Sequence, residues 1–125
     1  MLPVKKTALI DITRSSEFTG DDVVRYSGLV DLGNQYEFLA VVIPTLSASG
    51  IVSVYVQGDA KVDTVPVILH AFDADATGSF AHSTSSTGGD IVVIFRIGGF
   101  QHLRLHVAAD QAADRSFDLR GFDGG

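Results

Sequence analysis

Cysteine and tryptophan are absent from this 125-residue chain, and proline occurs only three times and methionine once. Without cysteine there is no disulfide, no thiolate metal site and no cysteine nucleophile. That usage fits assembly in a reducing cytosol. Basic residues are also scarce: 9 Lys and Arg stand against 15 Asp and Glu, a net charge of −6. Such a balance lacks the electrostatic footprint of a nucleic-acid binder and would be repelled by an anionic membrane, so neither partner is expected. The charge is spread along the chain and reads as a solubility device. No run approaches the ~20 apolar residues of a membrane helix. The apolar part of the opening stretch is too short for a signal peptide and is cut off by Asp11, so the chain is expected to act where it is made, or to leave the cell by lysis or in a particle.

What is present is a pleated-sheet vocabulary: Val, Ile, Phe, Thr and Gly, in a chain that is 46% hydrophobic. A single domain over residues 1–125 is expected, with residues 1–20 serving as an N-terminal arm. A domain of this size buries roughly two-thirds of the surface its unfolded chain exposes. About eight strands are read from alternation and turn residues, at 4–13, 22–32, 36–43, 51–57, 65–72, 91–97, 100–107 and 115–122. In the second, Val24, Tyr26, Gly28 and Val30 share a face. The third, Tyr36 to Ile43, is apolar on both faces up to Pro44, which suggests core on one side and a partner subunit on the other. Val52, Val54 and Val56 oppose Ser53, Tyr55 and Gln57 in the fourth. Pro66 demotes the start of the fifth to an edge or entry position. In the seventh, Leu103, Leu105 and Val107 point inward and His102, Arg104 and His106 outward. Residues 73–90 read as a long loop with room for an irregular strand near Phe80, of a length that is usually functional or mobile. Together these features describe an all-β, antiparallel β-sandwich with a jelly-roll-like arrangement.

Each candidate site has a plain structural explanation. Asp73-Ala-Asp75-Ala-Thr77-Gly78 starts like a calcium loop, but Thr84 stands where a bidentate Glu is needed, and an Asx/Gly turn accounts for it. His102 and His106 are four apart on a strand, hence roughly 13 Å apart at about 3.3 Å per residue, too far for one metal. His70 and His82 have no spaced partner. No Gly-x-Ser-x-Gly elbow occurs. The carboxylate pairs Asp21/Asp22, Asp73/Asp75 and Asp110/Asp114 lie in turns, where Asp serves its own hydrogen bonds, and not in the apolar pocket that a general acid needs. Gly88-Gly89 and Gly98-Gly99 read as hairpin turns, since no phosphate-binding fingerprint follows them. No catalytic, metal or cofactor-binding residue is assigned, and an enzyme is not expected. Lys5 and Lys6, with Arg14, form the one basic cluster: a solvated strand face, or a docking arm toward an acidic partner. The candidate partner interface is Lys5, Lys6, Tyr36, Phe38, His102, Arg104 and His106.

The stretch from Gly98 to Phe122 carries a resemblance. Phe100, Leu103 and Arg104, followed by Gln111, Ala113, Asp114 and Arg115 and an alternating last strand, resemble the closing hairpin of small β-sandwich virion proteins of tailed bacteriophages. Val52-Ser-Val-Tyr-Val-Gln-Gly-Asp59 is similar to a strand and turn of the same set. The resemblance implies a virion component at the capsid surface, a cement or decoration protein assembled in the host cytoplasm. It also implies a homo-oligomer, with a trimer favoured, a major capsid protein as partner, and no cofactor. Other readings stay open: a tail or neck component, a carbohydrate-binding module using exposed tyrosines, or a small hydrolase.

Overall fold

The computed structural model describes residues 2–14, 17–18, 23–47, 51–69, 82–83 and 91–124. Among them lie nine strands: β1 (Val4–Ile10), β2 (Val30–Asp31), β3 (Phe38–Ile43), β4 (Ile51–Gln57), β5 (Val67–Ile68), β6 (His82–Ser83), β7 (Ile91–Arg96), β8 (His102–Val107) and β9 (Arg115–Phe122). They form two antiparallel sheets, one in the order β1-β9-β3-β7 and the other β2-β8-β4-β5, with β6 also on β4. The pairing is nested: β1 takes β9, β2 takes β8, β3 takes β7 and β4 takes β6. In addition β9 pairs with β3 and β8 with β4. This is the expected all-β, antiparallel sandwich.

The core follows from strict alternation. Leu39, Val41 and Ile43 of β3, Phe117 and Leu119 of β9 and Phe95 of β7 face Val52, Val54 and Val56 of β4 and Leu103, Leu105 and Val107 of β8, all buried. Each such side chain contributes roughly 1.5–3 kcal/mol relative to exposure. Tyr36, expected at the surface, is buried against this core and donates its hydroxyl to the Leu2 carbonyl at 2.9 Å. Gly121 makes room for it: a Cβ there would stand 2.9 Å from the Tyr36 ring and 3.1 Å from Val4.

The Gly33 and Gly98-Gly99 turns are where the sequence puts them, with φ of 79°, 64° and 89°, values that favour glycine. Pro66 does precede an edge strand, β5. The strand expected over 22–32 is corrected. Residues Val23–Arg25 form a 3-10 turn, Tyr26 makes a single bridge to His106, and only Val30–Asp31 pair as β2. The backbone there is held by isolated contacts with β8 and the end of β1, including Ser27 N–H to Leu105 O at 2.7 Å and Gly28 N–H to Leu9 O at 3.0 Å. A strip satisfied in this way needs no ladder. The calcium-like Asp73–Thr84 segment, the Asp21/Asp22 pair, His70, Phe80, the side chain of His82 and Gly88-Gly89 lie outside the described residues.

Gly121→Ala should overpack the Tyr36 site and lower unfolding free energy by about 1–3 kcal/mol. Gly58→Ala, where an added Cβ meets nothing within 4 Å, should leave it unchanged within about 0.5 kcal/mol. Urea unfolding of the two variants measures the difference.

Candidate functional surfaces

The outward residues of β8 were candidates for an interface, and the structure separates them. Arg104 is 0% exposed. The connection between β1 and β2, described at 11–14, 17–18 and 23–29, lies across this face and encloses the guanidinium. Its Nη1 donates to Glu17 Oε1 at 3.0 Å and to Ser27 O at 3.2 Å, and its Nη2 donates to Val62 O at 3.1 Å. The Phe18 ring lies 5.0 Å from the guanidinium carbon. A buried charge persists only when paired and hydrogen-bonded, and Glu17 supplies the counter-charge. Arg14 lies 3.5 Å from the same carboxylate and donates to the Leu9 carbonyl. Its guanidinium rests on Gly28, where a Cβ would stand 3.3 Å from it. Arg104 is therefore a fixing point of the fold and not a docking residue.

His106 lies among aromatic rings, 4.5 Å from Tyr26 and 5.2 Å from Tyr55, and Tyr26 meets Phe18 edge-on at 5.1 Å. This small second core covers the outer face of the β8/β4 sheet, on which Ser53 and Gln57 are also buried. The tyrosine platform considered for sugar binding is thereby corrected: Tyr26 and Tyr36 are buried and Tyr55 is half-buried. His102 remains half-buried, 3.6 Å from the Asp31 carboxylate.

The β9 approach explains the residues behind the resemblance. Gln111 accepts from Ser47 N–H at 2.7 Å and donates to Ser47 O at 3.2 Å. Arg115 donates to Gln111 Oε1 at 3.1 Å and to Ser47 Oγ at 2.7 Å, and Asp114 accepts from Ile12 N–H at 3.0 Å. Asp110 pairs with Arg25 at 2.8 Å. These side chains tie the β8–β9 loop to the β3–β4 loop and to the end of β1. The Asp110/Asp114 pair is thus engaged structurally at both members.

The outer face of the β1-β9-β3-β7 sheet is different. Cross-strand partners share a face, so the register places Lys5, Arg120, Ala40 and Ile94 in one row and Thr7, Asp118, Val42 and Val92 in the next. Phe38 stacks on Phe122 at 5.4 Å beside them. Val92 is 64% and Ile94 56% exposed. Lys6 is exposed on β1 at the phase opposite to Lys5. Of the seven interface candidates, Lys5 and Phe38 fall on this face. Sequence reading missed Val92 and Ile94, although the polar-free run Ile91–Phe95 was a signal for them.

A cleft of about 240 Å³ opens at one end of the sandwich, lined by Gln35, Gln57, Gly58, Gly99, Phe100, Gln101 and His102. At its border, Asp31 accepts from the Gln101 amide at 2.8 Å and from Gly33 N–H at 2.7 Å. These bonds, the Gln101 one first, hold its carboxyl below the usual carboxylate range. Asp59 is lowered likewise, first by the Thr64 hydroxyl and then by Lys61 N–H. Among the described residues no group of three or more His, Asp or Glu is placed to hold a metal ion.

Glu17→Gln should leave the Arg104 guanidinium without a counter-charge and cost about 3 kcal/mol in urea unfolding. The pair Glu17→Gln with Arg104→Met should recover part of that loss, since both charges then leave together. Asp31 and Asp59 bind protons less tightly folded than unfolded. Their contribution to stability is therefore present above about pH 4 and is lost as the pH falls through their folded values. An acid titration followed by carboxyl NMR signals should show both titrating below ordinary aspartates, and Asp59→Asn should flatten the acid limb of stability.

No protein-family profile, curated protein or solved structure matches the chain.

Proposed function

We propose that this chain is a non-catalytic structural virion protein, a cement or decoration protein that binds a phage head through the outer face of the β1-β9-β3-β7 sheet. The observation that carries the reading is the exposed apolar patch of Val92 and Ile94, continued by half-buried Ala40 and Val42 and flanked by Lys5 and Arg120. Scattered surface apolars need no explanation, but a contiguous patch rimmed by polar groups marks an interaction site. On a chain of net charge −6, a face on which Lys5 and Arg120 outnumber the single carboxylate of Asp118 fits an apolar patch bordered by acidic residues on the major capsid protein. On the opposite sheet, the described part of the β1–β2 connection lies over the outer face of β8 and β4, and exposed apolar residues sit at its β5 edge.

Two further observations support the reading. The nested strand pairing is compatible with a jelly-roll arrangement, an architecture that recurs in viral capsid proteins. The hairpin motif of the resemblance is spent on loop anchoring, as a scaffold held in shape for docking demands. Edge strand β7 carries none of the charges or prolines that blunt a sheet edge except Arg96 at its end, which suits assembly into a homo-oligomer, with a trimer favoured. A tail or neck component would use the same face.

The test combines light scattering with co-sedimentation on purified phage heads. An oligomer that sediments with heads is expected. Ile94→Lys should weaken capture by about tenfold or more with little change in melting temperature, because the side chain is exposed. A strict monomer that stays in the supernatant would remove the proposal.

A further inference from the structure

We infer that the cleft between the β2–β3, β4–β5 and β7–β8 loops is a binding site for a single neutral sugar unit. The lining is unusual for this acidic chain: three glutamine amides, one histidine and one phenylalanine, with no carboxylate or lysine among them. An amide both donates and accepts, as does each hydroxyl of a sugar. With the Gln57 and Gln101 nitrogens donating to Asp59, Lys61 and Asp31, the amide oxygens of this pair face hydroxyl donors and Gln35 supplies the donor, without requiring charge on the ligand. His102 is neighboured by the Asp31 carboxylate at 3.6 Å, so the cleft presents no uncompensated cation that would select an anion.

Gln57 gives the cleft a fixed floor. It is 4% exposed, and its Nε2 donates to Asp59 O at 3.0 Å and to Lys61 O at 2.8 Å. Those bonds set the orientation of the amide. Its Oε1 is buried with no donor, an arrangement that native structures rarely leave unexplained. A ligand hydroxyl donated to it at the floor of the cleft would satisfy it.

Phe100 supplies the apolar wall. It is 40% exposed on the hairpin that Gly98 and Gly99 turn. An exposed ring beside amides is the pairing that takes the C–H face of a sugar while the amides take its hydroxyls. Gly58 and Gly99 keep the mouth open, since an added Cβ at either would meet nothing within 4 Å. The volume, about 240 Å³, is below the roughly 300–1,000 Å³ of drug-sized sites and fits one ring. The site lies on the loops at the sandwich end, not on the face proposed for head binding, and does not depend on it.

The test is an NMR titration of the full chain, labelled with ¹⁵N, against methyl glycosides of glucose, galactose and N-acetylglucosamine, with inorganic phosphate as the charged comparison. At least one glycoside should shift the side-chain amide signals of Gln57 and Gln101 and the backbone signal of Gly99 saturably. Phe100→Ala should weaken that binding several-fold. Gly58→Leu, which grows into open space, should abolish it while leaving the rest of the spectrum in place. Val92→Ser, on the other sheet, should not alter it. The inference is overturned if none of the three glycosides moves these signals, if phosphate alone does so, or if the shifts persist unchanged in Phe100→Ala and Gly58→Leu.

Discussion

Arg104 is a full positive charge set in a fully buried position, and the distribution of surfaces on this protein follows from how that charge is accommodated. A guanidinium out of water needs a carboxylate and oxygen acceptors in place. Glu17, Ser27 and Val62 provide them from two separate connections. The β1–β2 connection is thereby drawn across β8 and β4, bringing Phe18 and Tyr26 to form a second small core. The outer face of β8 and β4 is covered as a result. The other sheet keeps its outer face.

The edges of that second sheet are not equivalent. β1 bears Lys5 and Lys6, both exposed, and a lysine-bearing edge resists pairing with a further strand. β7 bears Ile91, Val92 and Ile94, all exposed. In the β8/β4 sheet, the outer strands β2, β5 and β6 are two residues each, too short to template an extension. Docking through the β7 side is therefore consistent with both the face and the edge, and a single contact would bury apolar surface that a solitary chain leaves in water.

The residues that carry the resemblance to virion proteins have an immediate physical role. Gln111, Asp114 and Arg115 cross-link the loop before β9 to Ser47 and Ile12. Leu103 is core, and Arg104 is the buried charge. A motif of this kind preserves the geometry of a scaffold. The contacts proposed for a partner and for a ligand fall elsewhere, on Val92 and Ile94 and on Gln57, where the motif does not reach.

Period-two alternation by itself determined the sandwich: β4, β8 and β9 begin and end within two residues of where Val, Leu and Phe alternate with polar residues, and the Gly98-Gly99 turn could not be another structure. The same alternation was misleading over 22–32, because a segment lying across a sheet can show strand-like spacing while its hydrogen bonds go to another element. It was also misleading at Tyr36 and Arg104. The pleat says which residues oppose the core, but not whether another stretch of chain covers that opposite face. Only the tertiary structure decided that Arg104 lies under Glu17, that Val92 and Ile94 stay uncovered, and that three glutamines, one at the end of β4 and two from separate loops, meet at one cleft. Burial and convergence depend on contacts between residues far apart in the chain, and local spacing does not encode them.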